Sequence, residues 1–279
     1  MKILITGATG MLGHDLYEVL SQKHNLILTG SKTLDITDES AVMKFVSESE
    51  PDIVINAAAY TNVDGCEENR DLAFKVNGEG VKNLALACRK NNCILAHVST
   101  DYVFNGENTR PWLEDDEVEP INVYGESKLK GEEEIIKNLD KYFIIRTAWL
   151  YGENGGNFPK TMLELAENHS EITVVYDEVG CPTYTPDLAE AISELIESDK
   201  YGIYNITNSG HCSWCEFAKY IFEIAKKDIK VVPVTADEFK RPASRPHYSV
   251  LDNKKWIENG FKPLRNYKEA IKEYIELIK

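Results

Sequence analysis

The chain has 279 residues, a formal net charge of −15, 43% hydrophobic and 28% charged residues. That length allows a sizeable core and one large domain or two intertwined ones. The charge argues against nucleic acid or an anionic membrane surface as partner, and no apolar run approaches the roughly 20 residues of a membrane span.

Met1-Lys2-Ile3-Leu4-Ile5-Thr6-Gly7 reads as a short strand entering a glycine turn rather than an export signal, so a cytoplasmic protein is expected. Gly7-Ala8-Thr9-Gly10-Met11-Leu12-Gly13 follows at once and precedes an amphipathic stretch with Leu12, Leu16, Val19 and Leu20. In that setting Gly7 permits a tight turn, Gly10 lets backbone approach a pyrophosphate, and Gly13 lets helix and sheet pack closely. Free amides at the helix start would receive the phosphates.

Ile3 to Ile5, Leu26 to Leu28, Ile53 to Ile55, Ile94 to Val98 and Phe143 to Ile145 read as strands, with helices near 12–21, 39–49, 67–90 and 124–138. This alternation implies βαβ units and a doubly wound parallel sheet of the Rossmann α/β class. The ligand crevice should lie at the strands' C-terminal ends, where Gly7, Asn56-Ala57-Ala58-Ala59, Ser99-Thr100 and Trp149 all fall. The second strand ends in Thr29-Gly30-Ser31-Lys32 with no carboxylate; Ser31 and Lys32 suit a 2′-phosphate, which favours NADPH over NADH. Asp35 and Ile36 would meet the adenine edge, and Ala57, Ala58 and Ala59 would let the cofactor lie flat.

Beyond about residue 150 the reading gives helices near 157–168, 186–198, 214–226, 253–259 and 267–278, and strands at 172–175, 202–206 and 230–234. Residues 1–155 form the expected dinucleotide-binding domain, to which 183–228 returns; 156–182 and 229–279 form a smaller substrate-binding lobe. Six scattered cysteines read as reduced and structural. Cys212-Ser213-Trp214-Cys215 has metal or redox spacing without a second pair, and Ser213 with Glu216 fits a helix capping box instead; His211 beside it does not alter that reading.

Tyr124 and Lys128 stand four residues apart and share one face of a helix that begins near Tyr124. A cation near a phenol lowers its pKa from about 10. With Thr100 at a strand end, the pattern points to hydride transfer to a carbonyl, with Tyr124 as acid and Thr100 on the same oxygen. No catalytic metal is needed.

These strings, with Val76-Asn77, Ser99-Thr100-Asp101-Tyr102-Val103-Phe104, Arg146 to Gly152, Gly180-Cys181-Pro182-Thr183 and Arg245 to Leu251, identify a resemblance over essentially the whole length. The chain resembles the extended short-chain dehydrogenase/reductase family, in its branch of deoxysugar-nucleotide reductases. The resemblance implies a trio of Thr100, Tyr124 and Lys128, with Lys128 on the nicotinamide ribose and Ser99 among the cofactor contacts. It implies Tyr102, Trp149 and Asp101 at the sugar, Arg245 at the nucleotide diphosphate with Arg241 a weaker candidate, and Asn77 at a helix kink beside the cofactor. The implied reaction is NADPH-dependent reduction of the 4-keto group of dTDP-4-dehydro-L-rhamnose to dTDP-L-rhamnose, with a homodimer admissible. Related dehydratases carry Asp-Glu after the strand-end threonine; here Asp101 precedes Tyr102, so elimination is disfavoured. The alternatives are another 4-ketoreductase or epimerase of nucleotide sugars, or a regulatory subunit like the methionine adenosyltransferase beta subunit.

Overall fold

The computed structural model describes residues 1–279. Its first half runs β1 (Lys2–Thr6), α1 (Met11–Leu20), β2 (Asn25–Thr29), α2 (Glu39–Ser49), β3 (Ile53–Asn56), α3 (Val63–Glu68), α4 (Arg70–Phe74), a π-helical turn (Lys75–Glu79), α5 (Gly80–Asn91), β4 (Ile94–Thr100), a 3-10 turn (Asp101–Val103), α6 (Val123–Asn138) and β5 (Tyr142–Thr147). The second half runs β6 (Leu150–Tyr151), α7 (Phe158–Asn168), β7 (Glu171–Val175), β8 (Val179–Gly180), β9 (Thr183–Tyr184), α8 (Thr185–Ile196), β10 (Gly202–Asn205), β11 (Cys212–Ser213), α9 (Trp214–Ala225), β12 (Lys230–Val234), α10 (Lys254–Glu258) and α11 (Tyr267–Leu277).

Six parallel strands form the central sheet in the order β10-β5-β4-β3-β1-β2. Strand side chains alternate between the faces. Ile3, Ile5, Ile55 and Ile145 bury one way with Leu16 of α1 and Ile192 of α8. Leu4, Val54, Leu95 and Ile144 bury the other way with Val42 of α2, Leu84 of α5 and Ile135 of α6. Both faces are covered, which is why these strands read as continuous apolar runs. The chain reverses direction across the sheet between β1 and β3, so the crevice opens where those strands end.

The helix expected over 67–90 begins at Val63 and is interrupted by the π-helical turn. Asn77 sits in that turn, and its amide bridges two other segments, as described below. Such turns concentrate at functional positions.

The smaller lobe has its own core, where Met162 of α7, Ile172 of β7, Phe217 and Ile221 of α9, and Ile271 of α11 meet. Here the packing differs from the expected division. α8 and β10 lie on the main sheet, but α9, expected with them, buries its stripe in the smaller lobe. Conversely α10, expected in the lobe, inserts Trp256 into the main core beside Leu195 and Tyr204. An amphipathic stripe requires burial and does not name the partner. At the start of α9 the capping box forms: the Ser213 hydroxyl accepts from Glu216 N–H, and Glu216 accepts from Ser213 N–H. Cys212 and Cys215 are both buried and free.

Candidate active site

The glycine loop supplies a cradle that only glycine fits. Gly7 has φ +71°, and a Cβ there would stand 2.5 Å from Ala58 N and 2.6 Å from the Ala57 carbonyl carbon. The loop after β1 therefore lies directly against Ala57 and Ala58 at the end of β3. Gly10 caps α1 with no side-chain bond, so the first-turn amides of Met11, Leu12 and Gly13 keep no side-chain acceptor. A free helix N-terminus behind a glycine turn fits a pyrophosphate.

Other expected cofactor residues separate. Ser31 and Lys32 stand exposed on the turn after β2, and Ala59 is partly exposed after β3. Asp35 is exposed too, its carboxyl held below the usual range by the Thr37 N–H and hydroxyl. Ile36 is a core residue here, packed with Leu34 and Val42, so its side chain does not serve the crevice. The Asn77 amide is likewise committed within the protein. Its Oδ1 accepts from Tyr60 N–H at 2.8 Å, and its Nδ2 donates to Tyr60 O and Ser127 Oγ, both at 3.0 Å. With the amide spent, Asn77 ties the segment after β3 to α6. Ser99 also turns away, its hydroxyl donated to Glu132.

α6 starts where Asn122 accepts from Gly125 N–H at 2.8 Å, which puts Tyr124 in its first turn and Lys128 one turn on. Burial pushes the Tyr124 phenol above its ordinary value, the facing Thr100 hydroxyl opposes this, and Asp101 and Cys66 add to the rise. The expected lowering by Lys128 is not seen, because that amine is directed elsewhere. Its Nζ donates to Val98 O at 2.7 Å and lies 3.3 Å from His97 Nε2. Lys128 is 2% exposed, and burial pushes it down to about 8. Thr100 donates its hydroxyl proton to Asp101 Oδ1 at 3.0 Å and accepts from Tyr102 N–H at 3.2 Å. Asp101, expected at the sugar, is buried behind Thr100 and pushed up to about 6 by burial. It orients the threonine.

Tyr102 stands edge-on to Tyr124, ring centroids 5.6 Å apart. Trp149 has a left-handed backbone (φ +48°) and stacks on Trp214 at 3.4 Å, a partner from the smaller lobe that the sequence reading missed. Gly180 leaves room for this indole, since a Cβ there would meet it at 2.5 Å. Arg245 pairs with Asp64 at 3.0 Å and donates to Ala243 O at 2.9 Å. Arg241 lies over the Phe239 ring at 4.9 Å and has no carboxylate within ion-pair distance. Both arginines line a cavity of about 290 Å³ with Ser244 and Glu178. Burial raises the Glu178 carboxyl while the two guanidiniums oppose the rise.

Behind the site, Arg146 of β5 makes a forked contact with Glu132 of α6 (2.7 Å at the shortest) and donates to Glu114 O at 3.1 Å. Arg146 falls within one of the strings that carry the resemblance, and nothing in the local sequence singles out Glu132 or His97. No local pattern marks a buried ion pair.

The site can be set beside known proteins. A family model described as RmlD substrate binding domain matches residues 1–279. The chain is 44% identical over 276 residues to the spore coat polysaccharide biosynthesis protein SpsK of Bacillus subtilis, covering 99% of this chain and 97% of that one. A dTDP-4-dehydrorhamnose reductase from Clostridium acetobutylicum superposes with a TM-score of 0.98 at 48% identity, covering 100% of this chain and 99% of that one. The Bacillus anthracis dTDP-4-dehydrorhamnose reductase in complex with NADP gives 0.97 at 42% identity, covering 99% of each chain.

Proposed function

The chain belongs to the RmlD substrate binding domain family, and on that premise we propose that it is an NADPH-dependent oxidoreductase reducing the 4-keto group of dTDP-4-dehydro-L-rhamnose to give dTDP-L-rhamnose. One observation carries the reading: the Thr100 hydroxyl and Tyr124 phenol face each other at the end of β4, with Lys128 one helical turn behind. The NADP complex of the Bacillus anthracis relative supports the choice of cofactor. When bound, the reduced nicotinamide supplies the hydride.

Gly7, Ala57 and Ala58 present flat backbone to the dinucleotide, the start of α1 receives its pyrophosphate, and Ser31 and Lys32 receive a 2′-phosphate. Tyr124 stays protonated at neutral pH because burial raises its pKa, and so it donates its proton to the ketone oxygen. Thr100 turns its hydroxyl from Asp101 to the same oxygen, stabilising charge that develops there. Tyr102 and the Trp149–Trp214 stack flank the deoxysugar. Arg241, whose fork carries no carboxylate, takes the diphosphate together with Arg245. A cationic pair suits a dianion on a chain of net charge −15. The smaller lobe, formed by α7, α9, α11, β7 and β12, closes over the sugar nucleotide. We take the reaction to be cytoplasmic, which agrees with six free, buried cysteines.

Incubation with NADPH and dTDP-4-dehydro-L-rhamnose should consume reduced-nicotinamide absorbance and yield dTDP-L-rhamnose by NMR. No consumption with any dTDP-4-keto sugar would remove the proposal. Gly7→Ala should raise the NADPH Kd at least about tenfold, since a left-handed alanine costs about 1–3 kcal/mol before its clash with Ala58. Binding by fluorescence titration reads it, and unchanged affinity would place the cofactor elsewhere. Lys128 is depressed to about 8, so its ammonium form prevails below that pH. If the ammonium supports Tyr124, kcat should be level below about 8 and fall about tenfold per pH unit above it. A flat profile to pH 10 contradicts that role.

A further inference from the structure

Four side chains form a buried line behind the lysine: Thr6, Asn56, His97 and Lys128. Thr6 Oγ1 donates to Asn56 Oδ1 at 2.6 Å, and Ala58 N–H donates to the same oxygen at 3.1 Å. A backbone N–H can only donate, so the Asn56 amide has one orientation, with its oxygen toward Ala58. Asn56 Nδ2 therefore donates to His97 Nδ1 at 2.9 Å. Since Nδ1 accepts, the neutral imidazole carries its proton on Nε2, and that N–H points at Lys128 Nζ 3.3 Å away. His97 and Asn56 are both fully buried, and burial together with the neighbouring amine holds the imidazole well below its ordinary value.

We propose that His97 is a positioning residue for the reduction: locked as the Nε2–H tautomer, it turns a donor rather than a lone pair toward Lys128 and thereby loosens the lysine's proton. An ammonium has three N–H groups and no acceptor. One reaches Val98 O, and another is forced against the His97 N–H. The neutral amine resolves the conflict, because its lone pair accepts from His97 Nε2–H while one N–H still reaches Val98 O. A lysine that gives up its proton more readily would more readily restore the phenol of Tyr124, one helical turn away, after it has protonated the ketone oxygen. Reversing the tautomer would require the Asn56 amide to flip and set its NH2 against Ala58 N–H. The lysine's proton is thereby coupled to the backbone segment that Gly7 packs against.

Few other charges face this line. Glu132 lies one turn further along α6 and favours the ammonium, but it is engaged by Arg146 of β5. Tyr124 is one turn earlier on the same helix. β3 contributes the neutral Asn56 amide, and β4 the Val98 carbonyl and the Ser99 hydroxyl.

The inference rests on the proposed reduction only for its consequence for rate; the tautomer itself is read on the ligand-free chain. Nitrogen-15 ring shifts of histidine-labelled protein should show His97 with a protonated Nε2 and a bare Nδ1 throughout pH 6–9. A protonated Nδ1, or an imidazolium, overturns the proposal. His97→Leu removes the donor and keeps the site buried, so the Lys128 titration followed by lysine carbon-13 NMR should move up by about one unit. The alkaline limb of kcat should move with it. His97→Gln can present an oxygen to Asn56 and an N–H to Lys128, and it should restore both to wild type. A leucine variant with reduced kcat and an unmoved limb would show a structural role only and sink the idea. If that variant does not fold, the wild-type ring shifts still decide. Correct ring shifts in a chain that turns over no keto sugar would sink the reductase reading alone.

Discussion

Tyr124→Phe is expected to lower kcat by about 10²–10⁴-fold, the usual contribution of a placed general acid, while NADPH affinity stays near wild type. The substitution removes one oxygen and keeps the ring that stands edge-on to Tyr102, so the start of α6 should be undisturbed. Asn122 still caps that helix, and the Ser127 hydroxyl still donates to the backbone oxygen of residue 124. What disappears is the phenol facing Thr100. Because burial raises its pKa, that phenol stays protonated across the whole neutral range. Reduction of a ketone needs this form, since the oxygen gains charge as hydride arrives. Nicotinamide absorbance measures the rate and fluorescence titration the affinity. Near-wild-type turnover would remove Tyr124 from the chemistry, whereas equal loss of rate and cofactor binding would point to a collapsed site.

Glu132→Ala is expected to destabilise the fold by about 3–5 kcal/mol, the typical result of stranding one partner of a buried ion pair. Glu132 and Arg146 have side chains only 1% and 3% exposed. The carboxylate accepts from the guanidinium in forked geometry and also receives the Ser99 hydroxyl. Without it, a permanently charged arginine faces Phe104 at 5.1 Å with only the Glu114 carbonyl as hydrogen-bond partner. The pair joins α6 to β5 directly beneath Lys128, so activity should fall as well. Urea unfolding measures the loss. The double replacement Glu132→Leu with Arg146→Met should recover much of it, because two apolar side chains leave no buried charge. An unchanged midpoint in the single variant would mean that water reaches the arginine.

The main sheet was legible because both of its signals are local. Apolar runs such as Ile3 to Ile5 and Ile53 to Ile55 mark strands buried on both faces, and the helical stripes between them mark crossovers. The smaller lobe was less legible. The stripe of α9 was seen and placed on the wrong core, and Trp256 was not seen to return to the main one. At the site, Thr100, Tyr124 and Lys128 were recognised from spacing and resemblance, and the structure gathers them at the end of β4. Asn77 lies at the helix kink that the resemblance implied, and the side chains of Asn77, Ser99 and Ile36, expected beside the cofactor, are committed to protein partners.

The sequence alone determined the strands of the main sheet, most of the helices, and the placing of a glycine loop and a Tyr–Lys pair at element ends, because each depends on residues within a few positions of one another, whereas the two-residue strands β6, β8, β9 and β11 and the π-helical turn carry no such local signal. Tertiary structure decided the pairings. Asp64 meets Arg245, Asn56 fixes the tautomer of His97, and Trp214 slides over Trp149. Those contacts join side chains from separate elements whose spacing along the chain carries no period. The amine expected to act on Tyr124 through its charge proved to donate to the Val98 carbonyl and to lie against the His97 ring, since a buried ammonium takes the nearest acceptor the fold brings to it.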